Sequence, residues 1–242
     1  MLSVVTGLVL LHGRLKQATL AGVAGGFGNV GYMGPGLAIA AIGAEATVPV
    51  ALIFSFDALL VFAIVPILMS LGRSRAAGIA RTLRKVVTRI VLNPLLVAAG
   101  LGVAAAALRL KLPVALDRLL QFLYVSAAPC ALFAIGVTVA LRPINRMAPI
   151  VLVLIAIKLV VHPLIVLATL AWLGPFDRAW VQTAVLMAAL PPALTVYVFA
   201  REYETWLEEA SSVVLIGTGL SVATLTATLW ALRAGVLPLL TR

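Results

Sequence analysis

Cysteine, histidine and acidic residues are scarce in this chain of 242 residues, which contains one cysteine, two histidines and eight acidic residues. The single cysteine, Cys130, excludes an internal disulfide and a cysteine metal cluster. The two histidines, His12 and His162, are too few to predict a zinc site, so we expect no metal and no cofactor. The sequence also lacks a Ser–His–acid set, a Gly-Lys-Ser phosphate loop and an HExxH motif, which indicates that the protein is not an enzyme.

Charged residues are also rare: they make up 11% of the chain, whereas apolar residues make up 63% and the mean hydropathy is +1.17. A soluble domain carries about 25% charged residues, and a small one cannot bury this much apolar surface. The same arithmetic excludes a disordered chain and a basic domain with a nucleic-acid partner. We therefore predict an all-α polytopic membrane protein, multi-pass in the cell membrane (in a bacterium, the inner membrane), with the lipid bilayer as a partner.

The net charge of +10 comes mostly from basic residues that lie between the apolar runs. At about 20 apolar residues per span, the chain has room for about eight helices. More basic residues lie on the side of the cluster at 73–89 than on the other side, and this asymmetry predicts that the cluster is cytoplasmic. The predicted spans are 1–12 (too short to cross alone), 18–42, 48–71, 90–108, 119–141, 148–173, 179–200 and 209–232.

Two of these spans contain helix-breaking residues near their middle. The first reads GGFGNVGYMGPGLAIAAIGAE over 25–45, and the second reads MAALPPALTVYVFAREYE over 187–204. Proline removes an amide hydrogen and glycine permits unusual backbone angles, so both helices are expected to break. The predicted topology runs the two spans in opposite directions. Paired breaks of this kind are typical of an inverted-repeat transporter, in which they mark the binding site.

The physical use of such breaks is anion binding, because the free amides at the start of each half-helix attract a negative group. A structural alternative stays open. Glycine and proline are frequent in transmembrane helices in general, and Gly22 and Gly26 have the spacing of a helix-packing face.

Short motifs at both breaks match the pattern of a known family. The sequence NVGYMGPGL at 29–37 is similar to N-x-x-x-M-G-x-P-L, and ALP at 189–191 with VFAREY at 198–203 is similar to A-L-P…V-F-A-K-E-Y. The chain thus resembles the auxin efflux carrier family, which includes plant PIN-type auxin exporters and bacterial malonate or malate permease-like carriers. It departs from the family at Gly36, where proline is usual, and in its doubled Pro191-Pro192.

The resemblance implies a fold of ten helices in two inverted five-helix repeats with two broken crossover helices. This chain supplies helices three to ten, and the first two are expected to be missing. In that scheme residues 1–71 are the remainder of the first repeat and 72–89 are a basic cytoplasmic linker. Residues 90–141 are scaffold helices, which in the family belong to the dimer half, and 142–242 complete the transport half. A homodimer is therefore a candidate assembly.

The candidate binding residues lie at the two breaks. The resemblance places substrate contact at Asn29, whose amide can donate to a carboxylate; the alternative is an interhelical hydrogen bond. The other candidates flank the breaks and are Gly31, Gly34, Pro35, Pro191, Pro192 and Thr195.

Two charged residues lie inside predicted spans, where an ionisable group indicates function by default. Lys158 could attract an anion or change its protonation during transport; the alternatives are that it snorkels to the cytoplasm or pairs structurally. Asp57 could be its ion-pair partner, carry a proton or bind sodium. His162-Pro163 is interpreted as a kink rather than as a site.

These observations predict a secondary transporter that moves a small organic anion, a mono- or dicarboxylate, by alternating access. The two breaks would hold the carboxylate at mid-membrane, with Asn29 and the amides near Gly34 and Pro191 as contacts. The alternative function is a truncated, non-transporting membrane subunit or gene fragment of such a carrier. The sequence does not indicate whether protons, sodium or the membrane potential drive transport.

Overall fold

The computed structural model describes residues 14–71, 84, 87–88, 92, 94–140 and 148–234, in which helices are joined by short turns and irregular segments and contain no β-strand beyond isolated bridge positions. The predicted all-α class is thus confirmed for this part of the chain. The predicted span 1–12, His12 and most of the cluster at 73–89 lie outside the described residues. The helices are α1 (Leu15–Gly26), α2 (Gly34–Ile42), α3 (Thr47–Leu71), α4 (Pro94–Ala107), α5 (Val114–Ala140), α6 (Pro149–Leu173), α7 (Arg178–Ala189), α8 (Thr195–Glu202) and α9 (Leu207–Arg233).

Within the described part of the chain, three helices are apolar and long enough to cross a membrane. They are Ala44–Met69, which includes most of α3, and the whole of α6 and α9. They have 25 to 27 residues, and at 1.5 Å per residue this exceeds the roughly 30 Å of hydrocarbon in a bilayer. They coincide with the predicted spans 48–71, 148–173 and 209–232. The total of about eight spans and the inverted repeat stay predictions.

Large apolar side chains cover the outside of the long helices. Phe56 on α3 is 64% exposed and Phe133 on α5 is 75% exposed. Water penalises such surface, whereas lipid does not, so these faces are suited to a bilayer. Three tryptophans (Trp172, Trp180 and Trp230) lie at the end of α6, the start of α7 and the end of α9 and are also exposed. Tryptophan at helix ends is typical of the boundary between membrane and water.

The core is formed by side chains from the regions 20–69 and 150–232. Leu20 on α1, Leu154 on α6 and Leu186 on α7 are completely buried in it. The edge-to-face contact of Phe62 on α3 with Phe199 on α8, at 5.6 Å between ring centroids, ties the short helix α8 to the same core. Helix α4 packs against α3, beside this core.

Helix α6 contains a π-helical turn over Ile157–Val161, and an ordinary helix resumes at His162 with Pro163 in its first turn. Proline fits the start of a helical segment because its missing amide hydrogen is not needed there. The kink interpretation of His162-Pro163 is therefore refined to a π turn. Such turns occur frequently at functional sites.

Helix α7 begins at a side-chain cap, since the Asp177 carboxylate accepts a hydrogen bond of 2.9 Å from the Ala179 amide. We expect Asp177→Ala to lower the free energy of unfolding by about 1 kcal/mol, the usual cost of losing such a cap. Equilibrium unfolding in mixed detergent micelles measures this change. Asp177→Asn keeps an acceptor and should behave as the unmodified protein; an alanine variant of equal stability would contradict the prediction.

Candidate functional site

The two interrupted helices meet at their breaks. Gly28 and Pro192 form an antiparallel β-bridge. The Asn29 amide donates to the Pro191 carbonyl at 2.8 Å, and the Ala193 amide donates to the Phe27 carbonyl at 3.3 Å. Backbone groups freed by one break are thus satisfied by the other, as a membrane interior requires. The two broken segments cross each other here. We define the crossing as residues 27–34 and 190–195.

The local sequence explains where each break lies. Leu190 is extended because the residue before a proline is excluded from the helical region, and Pro191 follows it. In the first break, α1 ends at Gly26 and Phe27 is extended. Gly34 and Pro35 begin α2, with the proline in its first turn. The first break therefore spans residues 27–33, and these two candidate residues lie directly after it.

Several amides at the crossing are open. The Gly31 and Tyr32 amides, just before α2, and the Leu194 and Thr195 amides at the start of α8 have no backbone acceptor among the described residues. These positions are also half-buried or exposed, so a ligand can reach them. The predicted contact at Gly34 needs correction, because its amide donates to the Asn29 carbonyl at 3.2 Å. The proline at 191 contributes an acceptor, not a donor.

Asn29 combines burial with an uncommitted side chain. The residue is only 5% exposed, and its backbone is held by the bond to Pro191. Its side-chain amide has no hydrogen-bond partner within the described part of the chain, so the interhelical hydrogen bond considered above is not formed there. Its polar atoms are not fully buried, unlike Thr183 Oγ1 and Trp206 Nε1, which are buried without a partner in the described part of the chain, so a polar ligand can reach the amide.

Glycines allow the helices to approach closely around the crossing. A Cβ atom added to Gly34 would lie 2.7 Å from the Met187 sulfur, and one added to Gly217 would lie 2.8 Å from Pro192 Cδ. Gly31 packs on the Phe54 ring, at 3.0 Å from its ideal Cβ position. The crossing is thus fixed from three sides, by α3, α7 and α9.

Lys158 lies completely buried behind the crossing. Its Nζ donates to the Ala188 carbonyl in the last turn of α7 and lies 3.1 Å from His162 Nδ1. A Cβ atom added to Gly28 would be 3.3 Å from the same Nζ. The snorkelling alternative is therefore wrong, because the ammonium group points inward. A positive charge at the carbonyl end of a helix is favourable, since that end is partially negative.

Asp57 lines a cavity of about 190 Å³ between α1 and α3, together with Thr19, Gly22 and Phe27. Its carboxylate interacts electrostatically with Lys158. The two charged groups do not come within 4.0 Å of each other, so the predicted ion pair is not a direct contact. Asp57 is the charged side chain among the described residues that line this cavity. Phe27, the first residue of the first break, lines the same cavity, so the cavity borders the break.

The sequence interpretation missed His162 as a partner of Lys158 and the Ala188 carbonyl as an acceptor. The spacing of four residues between the two side chains on one helix was a signal for their contact. No signal in side-chain chemistry points to Ala188, because it contributes only its backbone.

Comparison with known proteins identifies the family of this chain. The family described as membrane transport protein matches residues 1–231. This chain belongs to the membrane transport protein family. One relative in it is a protein of Rhizobium meliloti (strain 1021) named "Putative malonate transporter", with 46% identity over 239 residues, 96% of this chain and 72% of the relative. A second is "Auxin efflux carrier component 8" of Arabidopsis thaliana, with 27% identity over 165 residues, 64% of this chain and 44% of the relative.

Membership of the membrane transport protein family confirms the resemblance to auxin efflux carriers that the break motifs indicated. The family match also confirms that the chain is a membrane protein of a transporter family. The two relatives are named as a transporter and an efflux carrier component. The family match includes both breaks, so the crossing lies within the part of the chain that resembles these proteins.

Proposed function

We propose that this protein is a secondary transporter that moves a small organic anion, a mono- or dicarboxylate, across the bacterial inner membrane by alternating access. The observation that supports the proposal is the crossing, where amides next to the starts of two half-helices have no backbone acceptor among the described residues and the Asn29 side chain makes no hydrogen bond to them. Amides at helix starts bind carboxylates. The name of the Rhizobium relative supports malonate as the first anion to test.

The binding mode follows from the groups available. The carboxylate accepts from the Asn29 side-chain amide and from the Gly31 and Tyr32 amides, and a second carboxylate or other polar group reaches the Thr195 end. Gly34, Pro35, Pro191 and Pro192 shape the crossing and do not donate to the anion, because three are prolines without an amide hydrogen and the Gly34 amide donates to the Asn29 carbonyl. Lys158 adds a positive charge behind the site without touching the anion.

Movement of one half of the protein against the other would expose this site to each side in turn. The shared core of 20–69 and 150–232 supports a moving unit made of α1–α3 and α6–α9. Helices α4 and α5 would then belong to the static scaffold, which in a homodimer would hold the two copies together. Asp57, in its cavity next to the first break, is a candidate for coupling to a proton or sodium ion.

Uptake of labelled malonate, malate and indole-acetate by proteoliposomes tests the function. We expect uptake of at least one of these anions, and we expect Asn29→Ala to raise its half-saturation concentration about tenfold or more. A hydrogen bond to a charged group contributes about 1.5–3 kcal/mol, and 1.4 kcal/mol corresponds to a factor of ten.

Gln121→Ala is the matched control, because it removes an exposed amide on α5 that bonds to Asp117. It should leave the half-saturation concentration unchanged. If no anion is taken up by the unmodified protein, the proposed function is overturned. If uptake is normal in the Asn29→Ala variant, Asn29 is not a ligand even though transport stands.

A further inference from the structure

Lys158 and His162 form a pair of nitrogen bases inside the membrane core, and the transport function proposed above does not use His162. We propose that this pair is a proton-binding site that couples proton movement to anion transport. The proposal rests on the proposed transport function and adds its energy source. It is carried by the geometry of the pair, by its position at the crossing and by the charges around it.

The geometry of the pair allows only one positive charge. Lys158 Nζ and His162 Nδ1 are 3.1 Å apart, which is a hydrogen bond in which one nitrogen donates and the other accepts. If both groups were protonated, two positive charges would face each other at this distance in a medium of low dielectric constant, and their repulsion would be strong. The pair therefore shares a single extra proton, which can be bound or released.

The pair is positioned so that its charge acts on both breaks. The π turn at Ile157–Val161 brings Lys158 to the Ala188 carbonyl, in the last turn before the second break. The same ammonium group lies next to Gly28 in the first break. Lys158 is fully buried, whereas His162 is half-buried and also interacts with the Ala188 carbonyl. The imidazole is thus the member of the pair through which a proton can enter.

Few other charged side chains lie near this pair among the described residues. Asp57 is the charged side chain that acts on Lys158 from α3. Other charged residues on the described helices packed against the π turn lie in the first or last turn of α1, α7 or α9, and these are Lys16, Arg178, Glu208, Glu209 and Arg233. A proton on the pair therefore balances the charge of Asp57, and its loss leaves the carboxylate uncompensated.

Coupling follows from these charges. With the proton bound, the pair is positive, Lys158 makes a charge-assisted hydrogen bond to Ala188, and an anion at the crossing is favoured. Without the proton, that bond weakens and the nearby charge becomes negative, so the anion is disfavoured. His162 takes the proton from one side and the pair releases it on the other. The only bonds made and broken are N–H bonds, and proton and anion bind cooperatively.

Gradient-driven accumulation of labelled malonate tests the coupling. Proteoliposomes hold equal potassium on both sides with valinomycin, so that the membrane potential is zero and only the pH gradient can drive accumulation. With one proton moved per anion, each pH unit across the membrane should drive about tenfold accumulation of malonate at equilibrium, because one pH unit is a tenfold ratio of proton concentrations. We expect His162→Gln to retain malonate exchange at equal pH but to lose accumulation. Gln121→Ala, which removes an exposed amide on α5, is the control and should accumulate malonate normally.

Two results of this assay would overturn the coupling: an unmodified protein that exchanges malonate but does not accumulate it, or a His162→Gln variant that accumulates it fully.

A measurement that needs no transport separates this proposal from the proposed function. In protein labelled with ¹⁵N-histidine in lipid nanodiscs, the His162 ring signals should shift in the Lys158→Met variant and should stay unchanged in the variant Lys111→Met, whose lysine is exposed. Unchanged His162 signals would exclude the pair. Absence of any malonate exchange with an intact shift would overturn transport and coupling but retain the proton site.

Discussion

The Lys158→Met variant is expected to fold and to lose at least about nine-tenths of the anion transport of the unmodified protein. Methionine has a stem of similar length and avoids the cost of a buried charge, so the core should accept it. Transport should fall because the hydrogen bond to the Ala188 carbonyl disappears. A bond of a charged donor contributes about 1.5–3 kcal/mol, which corresponds to a tenfold effect or more. The initial rate of labelled malonate uptake measures the loss.

Lys111→Met is the matched control, since Lys111 is exposed in the connection between α4 and α5. It should transport malonate at the normal rate. Unfolding in mixed detergent micelles checks that the Lys158→Met variant is folded. Normal uptake by a folded Lys158→Met variant would show that transport does not require a cation behind the crossing.

Gly217→Ala is expected to lower both stability and transport, although alanine usually favours a helix over glycine. The added Cβ would lie 2.8 Å from Cδ and 3.0 Å from Cγ of Pro192. A proline ring is rigid and its backbone is paired with Gly28, so the second break itself must move. Overpacking of this kind costs about 1–3 kcal/mol. Equilibrium unfolding and the half-saturation concentration for malonate measure the two effects.

The same helix offers a matched control two residues away. A Cβ atom added to Gly219 has no neighbour within 4 Å, so Gly219→Ala changes the helix without touching the crossing. We expect this variant to be as stable as the unmodified protein or more stable by about 0.5–1 kcal/mol, which is the usual gain from replacing a helical glycine. If both alanine variants behave alike, the contact of α9 with Pro192 does not position the break.

Hydropathy predicted the three long helices because it is a local property of the chain. The spans 48–71, 148–173 and 209–232 were predicted within a few residues of α3, α6 and α9, since each is a continuous apolar run. The exact place of the first break was not predicted. Gly34 and Pro35 are helix breakers by residue type, but proline at the first turn begins a helix as readily as it ends one.

The chemistry of the site was predictable only where side chains carry it. Asn29 was identified from its position in a motif and from its amide, and Lys158 from its charge within a span. The Ala188 carbonyl and the open amides of Gly31 and Thr195 have no sequence signal, because every residue but proline has the same backbone donor. Which of these groups stay unpaired depends on how two distant segments pair, and that is decided by the three-dimensional fold.

The pairing of Gly28 with Pro192 also sets an order of events during biogenesis. The first break is synthesised well before its partner, because Gly28 precedes Pro192 in the sequence by more than half of the residues given. At about 5–20 residues per second, the two are separated by roughly 10–30 s of synthesis. Over this time the amides and carbonyls of 27–29 lack the partners that they have in the folded protein. The first break must therefore wait in contact with water, the insertion machinery or lipid headgroups, and the anion site is assembled only after α7 has been inserted.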